Sequence, residues 1–200
     1  ALPMAIDVAT GEPPSLRADA RRNRERVLEV AKRHFDLHGV SASLEEIARE
    51  AGVGAGTLYR HFPSREALVA ATLHERQAEL LETSRQVREM PDADAALARW
   101  LQALQTYLRT FNGLPEPVLA AMKEQASPLS LSCETLKTVT EEVLMRAQQE
   151  GSARKTVSAK DLFLSAIAIA WVLNRAEACG TSAENLNAIF THGYQDTARN

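Results

Sequence analysis

Residues 43–68 read Ser43-Leu-Glu-Glu-Ile-Ala-Arg-Glu-Ala-Gly-Val-Gly-Ala-Gly-Thr-Leu-Tyr-Arg-His-Phe-Pro-Ser-Arg-Glu-Ala-Leu68, and this stretch decides the fold. Ser43 with Glu46 three residues on is a capping box: a hydroxyl and a carboxylate cover the free amides of a helix start. Leu44, Ile47, Ala48 and Ala51 then recur at i, i+3, i+4 and i+7, one apolar helix face. Gly52-Val53-Gly54 stops that helix after two turns, Gly52 permitting the left-handed backbone of a tight turn. A second short helix carries Leu58 and Phe62 one turn apart and ends before Pro63. Ala48, Val53 and Leu58 can meet in one small core and fix the angle between the two helices. Paired in this way, and backed by a third helix, they form a helix-turn-helix unit, whose second helix fits a DNA major groove. An ordinary helical hairpin has the same spacing.

Outward from this pair, the chain reads as helix throughout. A helix over 19–38 places Val27, Ala31 and Phe35 at four-residue spacing and ends at Gly39. Downstream, Ser64 caps a helix that the pattern extends as one continuous rod to Met90. Helices over 91–111, 115–125, 130–150, 158–179 and 182–198 follow, each bounded by Pro, Gly, Asn or Ser. The fold class is therefore all-α with about nine helices. A flexible arm is expected over 1–16, a helix-turn-helix domain over 17–66 and a larger helical domain over 67–200. Nine glycines, eight prolines and 5% aromatics fit this reading, and 45% hydrophobic with 24% charged residues excludes disorder for most of the chain.

Composition also narrows the function. No apolar run reaches the ~20 residues of a membrane span, and no basic start leads into an apolar core as in a signal peptide, so a soluble cytoplasmic protein is expected. Cys133 and Cys179 make neither a disulfide framework nor a zinc-ligand pattern. Gly52-x-Gly54-x-Gly56 follows a helix and lacks the dinucleotide-binding spacing; Ala78 stands where a zinc protease with His74-Glu75 needs a second histidine; Ser152-x-x-Lys155 lacks partner motifs. No metal, cofactor or enzymatic activity is expected. The net charge of −3 hides an asymmetry: residues 17–65 carry ten Arg/Lys against seven Asp/Glu, and residues 17–33 seven against three. A basic end on an acidic body suits a polyanion, although most charge runs are solvated faces.

Ala51-Gly52-Val53, Gly56-Thr57-Leu58-Tyr59, His61-Phe62 and Glu66-Ala67-Leu68 closely resemble the DNA-binding segment of the TetR family of bacterial repressors, a resemblance covering roughly 19–80. It implies a homodimeric repressor on a palindromic duplex operator, with helix four joining the DNA-binding domain to a body that takes a small-molecule effector. By position, it implies DNA contacts, mostly to phosphate, from Ser43, Thr57, Tyr59, His61 and Arg65. Hydroxyl, phenol, imidazole and guanidinium groups near helix starts suit that task. Each also has a duller use: Ser43 as a cap, Thr57 within its helix, Tyr59 in packing. The family often has a polar residue where this chain has Gly54, so Gly54-Ala55-Gly56 opens the recognition helix almost bare. Base reading then falls to Arg60 against guanine O6 and N7, with Ala55 against a thymine methyl. Arg17, Arg21, Arg22 and Arg24 offer a second, arm-like reader.

The resemblance also implies a dimer of the last two helices. Residues 162–173 are apolar at eleven of twelve positions, and a helix apolar all round must be buried all round. Phe163, Ile167 and Trp171, with Leu186, Phe190 and Tyr194 on the last helix, are the expected interface. Trp100, Leu104, Tyr107, Phe111, Met122, Gln125, Cys133, Leu136 and Trp171 mix apolar walls with a few polar groups, as a ligand pocket does. They describe a plain helical core equally well.

Overall fold

In the computed structural model, residues 14–124, 126–175 and 182–195 are described; Gln125, Cys179 and the first thirteen residues lie outside them. The described residues form ten helices and no strand: α1 Pro14–His38, α2 Leu44–Glu50, α3 Ala55–His61, α4 Arg65–Thr72, α5 His74–Glu89, α6 Ala93–Leu108, α7 Pro115–Ala121, α8 Ser130–Gln149, α9 Ala159–Arg175 and α10 Ala183–Tyr194. They divide into two compact units, the boundary falling between Thr72 and Leu73 rather than after Glu66.

In the first unit α1 packs against α2, α3 and α4. Val27, Ala31 and Phe35, the stripe read from the sequence, are fully buried with Ile47 and Leu68. The helix begins at Pro14, earlier than expected, because a proline's fixed φ and missing N–H suit a first turn. Gly39 takes φ 73° just past the helix end, the left-handed cap that its position predicted. Glu50, at the end of α2, is tied to α1 by His34 (Nε2 to Oε2, 2.6 Å) and by Arg33, which donates at 2.7 Å. The His34 hydrogen bond, then the Arg33 one, hold the Glu50 carboxyl below its ordinary value of 4.5. A depressed folded-state value means a contribution fully present above that ordinary value and lost as pH falls through the depressed one. The unfolding midpoint of the full chain should therefore lose its advantage over Glu50→Gln as pH drops below 4.5; parallel curves for the two proteins would contradict this.

The rod expected from Ser64 to Met90 is two helices. In a continuous helix the Val69 carbonyl would accept from the Leu73 N–H, but the Thr72 hydroxyl takes it at 2.7 Å. Such back-bonding by threonine weakens and bends helices. Leu73, buried at 1% exposure, becomes the turn from which α5 starts, its carbonyl accepting from Gln77 N.

In the second unit α6 is central, packed by α5, α8 and α9. Asp92 caps it by accepting from Ala95 N at 3.0 Å. Trp100 is fully buried, and its indole N–H donates to the Thr140 hydroxyl on α8 at 2.9 Å. From α8, Arg146 donates to the backbone carbonyls of Val87, Arg88 and Met90, satisfying the end of α5. Gly151 (φ 77°) closes α8, and Ser182 caps α10.

Candidate nucleic-acid interface

The pairing of α2 and α3 follows from local chemistry. Ser43 caps α2, its hydroxyl accepting from Glu46 N at 3.3 Å; the Glu46 carboxylate itself faces Arg49 at 3.9 Å. At the other end Gly52 adopts φ 66°, its N–H reaching the Arg49 carbonyl while Val53 N reaches that of Ala48. These two bonds are a Schellman cap, which needs a residue free of Cβ strain at Gly52. The Gly54 carbonyl then accepts from Thr57 N and Leu58 N and starts α3. Ile47, Ala48, Ala51, Leu58 and Phe62 are buried and lock the two helices, with Val53 half-buried at the turn.

What remains outward is the surface that the sequence singled out. Gly54, Ala55, Gly56 and Arg60 are exposed, Tyr59 is 49% exposed, and Thr57 and His61 are half-buried. A Cβ built on Gly54 or Gly56 would meet nothing within 4 Å, and neither has a positive φ, so the fold itself does not require glycine at either place. Arg60 faces no carboxylate among the described residues.

Arg65, expected as a phosphate contact, also has a structural task. Its guanidinium is partly buried and donates to the carbonyls of Val40 (2.9 Å) and Ala42, tying α4 to the loop before α2. A charged donor on two backbone acceptors contributes about 1.5–3 kcal/mol each when buried, less at this partial exposure. Arg65→Ala should lower the melting temperature of the full chain as well as DNA affinity; unchanged melting with weakened binding would restore a pure phosphate role. Arg21 and Arg22 lie exposed in the first turns of α1, Arg21 3.6 Å from Glu25 and Arg22 on Asp19. Arg24, which the sequence grouped with them, instead lays its guanidinium over the Phe62 ring, a placement that no local pattern signals.

In the second unit Trp100, Leu104, Tyr107, Phe111, Cys133 and Leu136 are all buried, and Met122 is half-buried at the end of α7. Burial raises the Tyr107 phenol, and pushes the Cys133 thiol up to about 11, so both stay protonated and neutral. Phe163, Ile167 and Tyr194 are consumed by their own unit's core, while Leu186 and Phe190 are half-buried. Among the described residues of this unit, the large apolar side chains left exposed are Leu119, Met145, Trp171 (42% exposed), Val172 and Ile189, the last three on α9 and α10. Trp171 donates to Glu116 at 2.7 Å and stacks under Arg175 at 4.2 Å. Among the described residues no helix is long and apolar enough to cross a membrane, and no cluster of His, Cys, Asp or Glu could hold a metal.

Two short helices locked by a glycine cap, the second presenting a polar outer face, on a chain with a larger helical unit, define a helix-turn-helix DNA-binding regulator. Residues 27–72 match the model of the bacterial regulatory proteins of the tetR family, and residues 92–195 that of the C-terminal domain of SbtR-like transcriptional regulators. The chain is 31% identical to the TetR transcriptional regulator SCO0520 of Streptomyces coelicolor, with 88% of this chain and 99% of that one covered and a TM-score of 0.57. A protein of unknown function from Rhodococcus sp. RHA1 shares the fold at 19% identity, covering 86% and 92%, with a TM-score of 0.63. An HTH-type transcriptional regulator of Staphylococcus aureus is 48% identical over 54 residues, 26% of this chain; the chain thus spans 29% of the length of that curated relative. The chain belongs to the TetR family: it is a DNA-binding transcriptional regulator and not an enzyme.

Proposed function

We propose that this regulator is a cytoplasmic, homodimeric repressor that binds a palindromic operator through α3 and leaves it when a small molecule enters the second unit. The observation carrying the DNA part is the outer face of α3, where Arg60, Tyr59 and two fold-independent glycines stand exposed together. On this reading Arg60 meets base edges, Ala55 a thymine methyl, and Ser43, Thr57, Tyr59 and His61 phosphates. Ser43 spends one lone pair on its cap, and its hydroxyl proton remains for a phosphate oxygen.

Exposed Trp171, Val172 and Ile189 support a dimer, because apolar side chains of this size on adjacent helices gain by mutual burial. Trp171 belongs to the stripe expected from the sequence; Val172 lies one position round α9 from it. Gln105 supports an effector: the residue is 3% exposed, and its amide nitrogen has no hydrogen-bond partner among the described residues. A buried donor left unsatisfied costs about 1–3 kcal/mol, which an acceptor oxygen on a ligand would recover.

Selecting bound duplexes from a random pool tests the reading. An inverted repeat with half-site centres about 10–10.5 base pairs apart, or a multiple of that, is expected; single unrepeated sites would remove the dimer. The same duplex then reports on effectors. A panel of apolar metabolites that shifts neither melting nor affinity would leave control to a protein partner or to abundance.

A further inference from the structure

We propose that Arg24, on α1, is a phosphate-binding residue of the DNA interface, set in place by the ring of Phe62 and so outside the helix-turn-helix proper. The arginines of the first unit divide by what they face. Arg21, Arg22, Arg33 and Arg49 each lie against a carboxylate. Arg65 donates through one guanidinium nitrogen to backbone carbonyls, and Arg26 donates to the Asn23 side chain. Arg24 faces no carboxylate among the described residues; its one partner is the Phe62 ring, 5.2 Å from the guanidinium carbon to the centroid.

Phe62 is 2% exposed and is the cap residue immediately after His61, the last residue of α3, so the platform under Arg24 is buried and sits at the end of the recognition helix. A guanidinium held over an aromatic ring by cation–π attraction still has N–H donors to offer, and these can fork onto a phosphate. The ring contact also restricts a long side chain before it binds, so less entropy is lost on docking. Arg24 stays exposed, and Arg60 and His61 stand in the adjoining last turn of α3. That helix end carries the negative pole of the backbone dipole, and a cation held beside it makes the approach of a phosphate favourable. A fixed, accessible and uncompensated arginine beside a DNA-reading helix is what a backbone contact requires.

Phosphate contacts are blind to sequence, so the test needs no operator: the full chain is titrated onto a labelled duplex of random sequence across a salt series. Arg24→Gln should flatten the plot of log affinity against log salt by about 0.9 for each docked subunit and weaken binding roughly eightfold per subunit at 0.1 M salt. Arg24→Lys, which keeps the charge and loses the fork, should keep the wild-type slope and bind a few-fold more weakly. An unchanged slope in Arg24→Gln would overturn the proposal, and so would equal flattening in both variants. Should Arg24→Gln fail to fold, Arg24→Lys decides alone, and wild-type affinity in it would overturn the contact.

Discussion

Trp100→Ala should cost about 3–5 kcal/mol, the range for losing a large aromatic from a packed core, and lower the melting temperature of the second unit by many degrees. The ring is wholly inside, at the centre of a helix that α5, α8 and α9 all pack against. Its indole N–H feeds the Thr140 hydroxyl, which passes its own proton to the Leu136 carbonyl at 2.8 Å, so the substitution opens a cavity and also strips a buried acceptor of its donor. A whole domain is stable by only about 5–15 kcal/mol, so this one change removes a large fraction. Denaturant unfolding followed by the fluorescence of Trp171, the other tryptophan, measures it. A loss under about 1 kcal/mol would show that α6 and α8 are not packed through this pair. Thr140→Val separates the contributions, since it removes the hydrogen bond and keeps the volume.

Gly56→Glu is the second large effect, and its two readouts move in opposite directions. Glycine within a helix costs roughly 0.5–1 kcal/mol against better helix formers. Nothing in the fold occupies the space a side chain would take there. Melting temperature should hold or rise by a few degrees. Binding should collapse, because Gly56 stands one turn below Arg60 on the exposed face and a carboxylate there would confront the phosphates of a docked duplex. Like-charge juxtaposition at an interface costs several kcal/mol, on the order of a hundredfold or more in affinity. A stable variant that still binds would place the contact surface elsewhere.

Features set by a few neighbouring residues were legible in the sequence. The cap at Ser43, the left-handed turn at Gly52 and the stop at Phe62-Pro63 each stand where local chemistry predicts them. The break at Leu73 was not legible, because a threonine inside an apolar pattern does not announce that its hydroxyl will take the carbonyl its helix needs. Residues 162–173 show a different limit. A segment apolar at nearly every position has no phase, so the sequence does not say which face its own core takes. Phe163 and Ile167 went to the unit's own core and left Val172 outside. The same ambiguity covers Trp100, Tyr107 and Leu136, whose spacing fits a pocket wall and a core alike. Arg65 and Arg24 were readable as cations but not as placed groups, since what each touches lies more than twenty residues away in the chain.

On the proposed function α3 reads DNA, with Arg60 on base edges and Tyr59 on phosphate. Competition binding against an operator and its single-base variants measures it, comparing Arg60→Ala with Tyr59→Phe. Loss of a base contact should remove about 1–3 kcal/mol of discrimination at one operator position and leave the others intact. Tyr59→Phe should weaken every duplex alike. Uniform weakening by Arg60→Ala, with the order of preference among variants unchanged, would contradict the assignment of Arg60 as the reader.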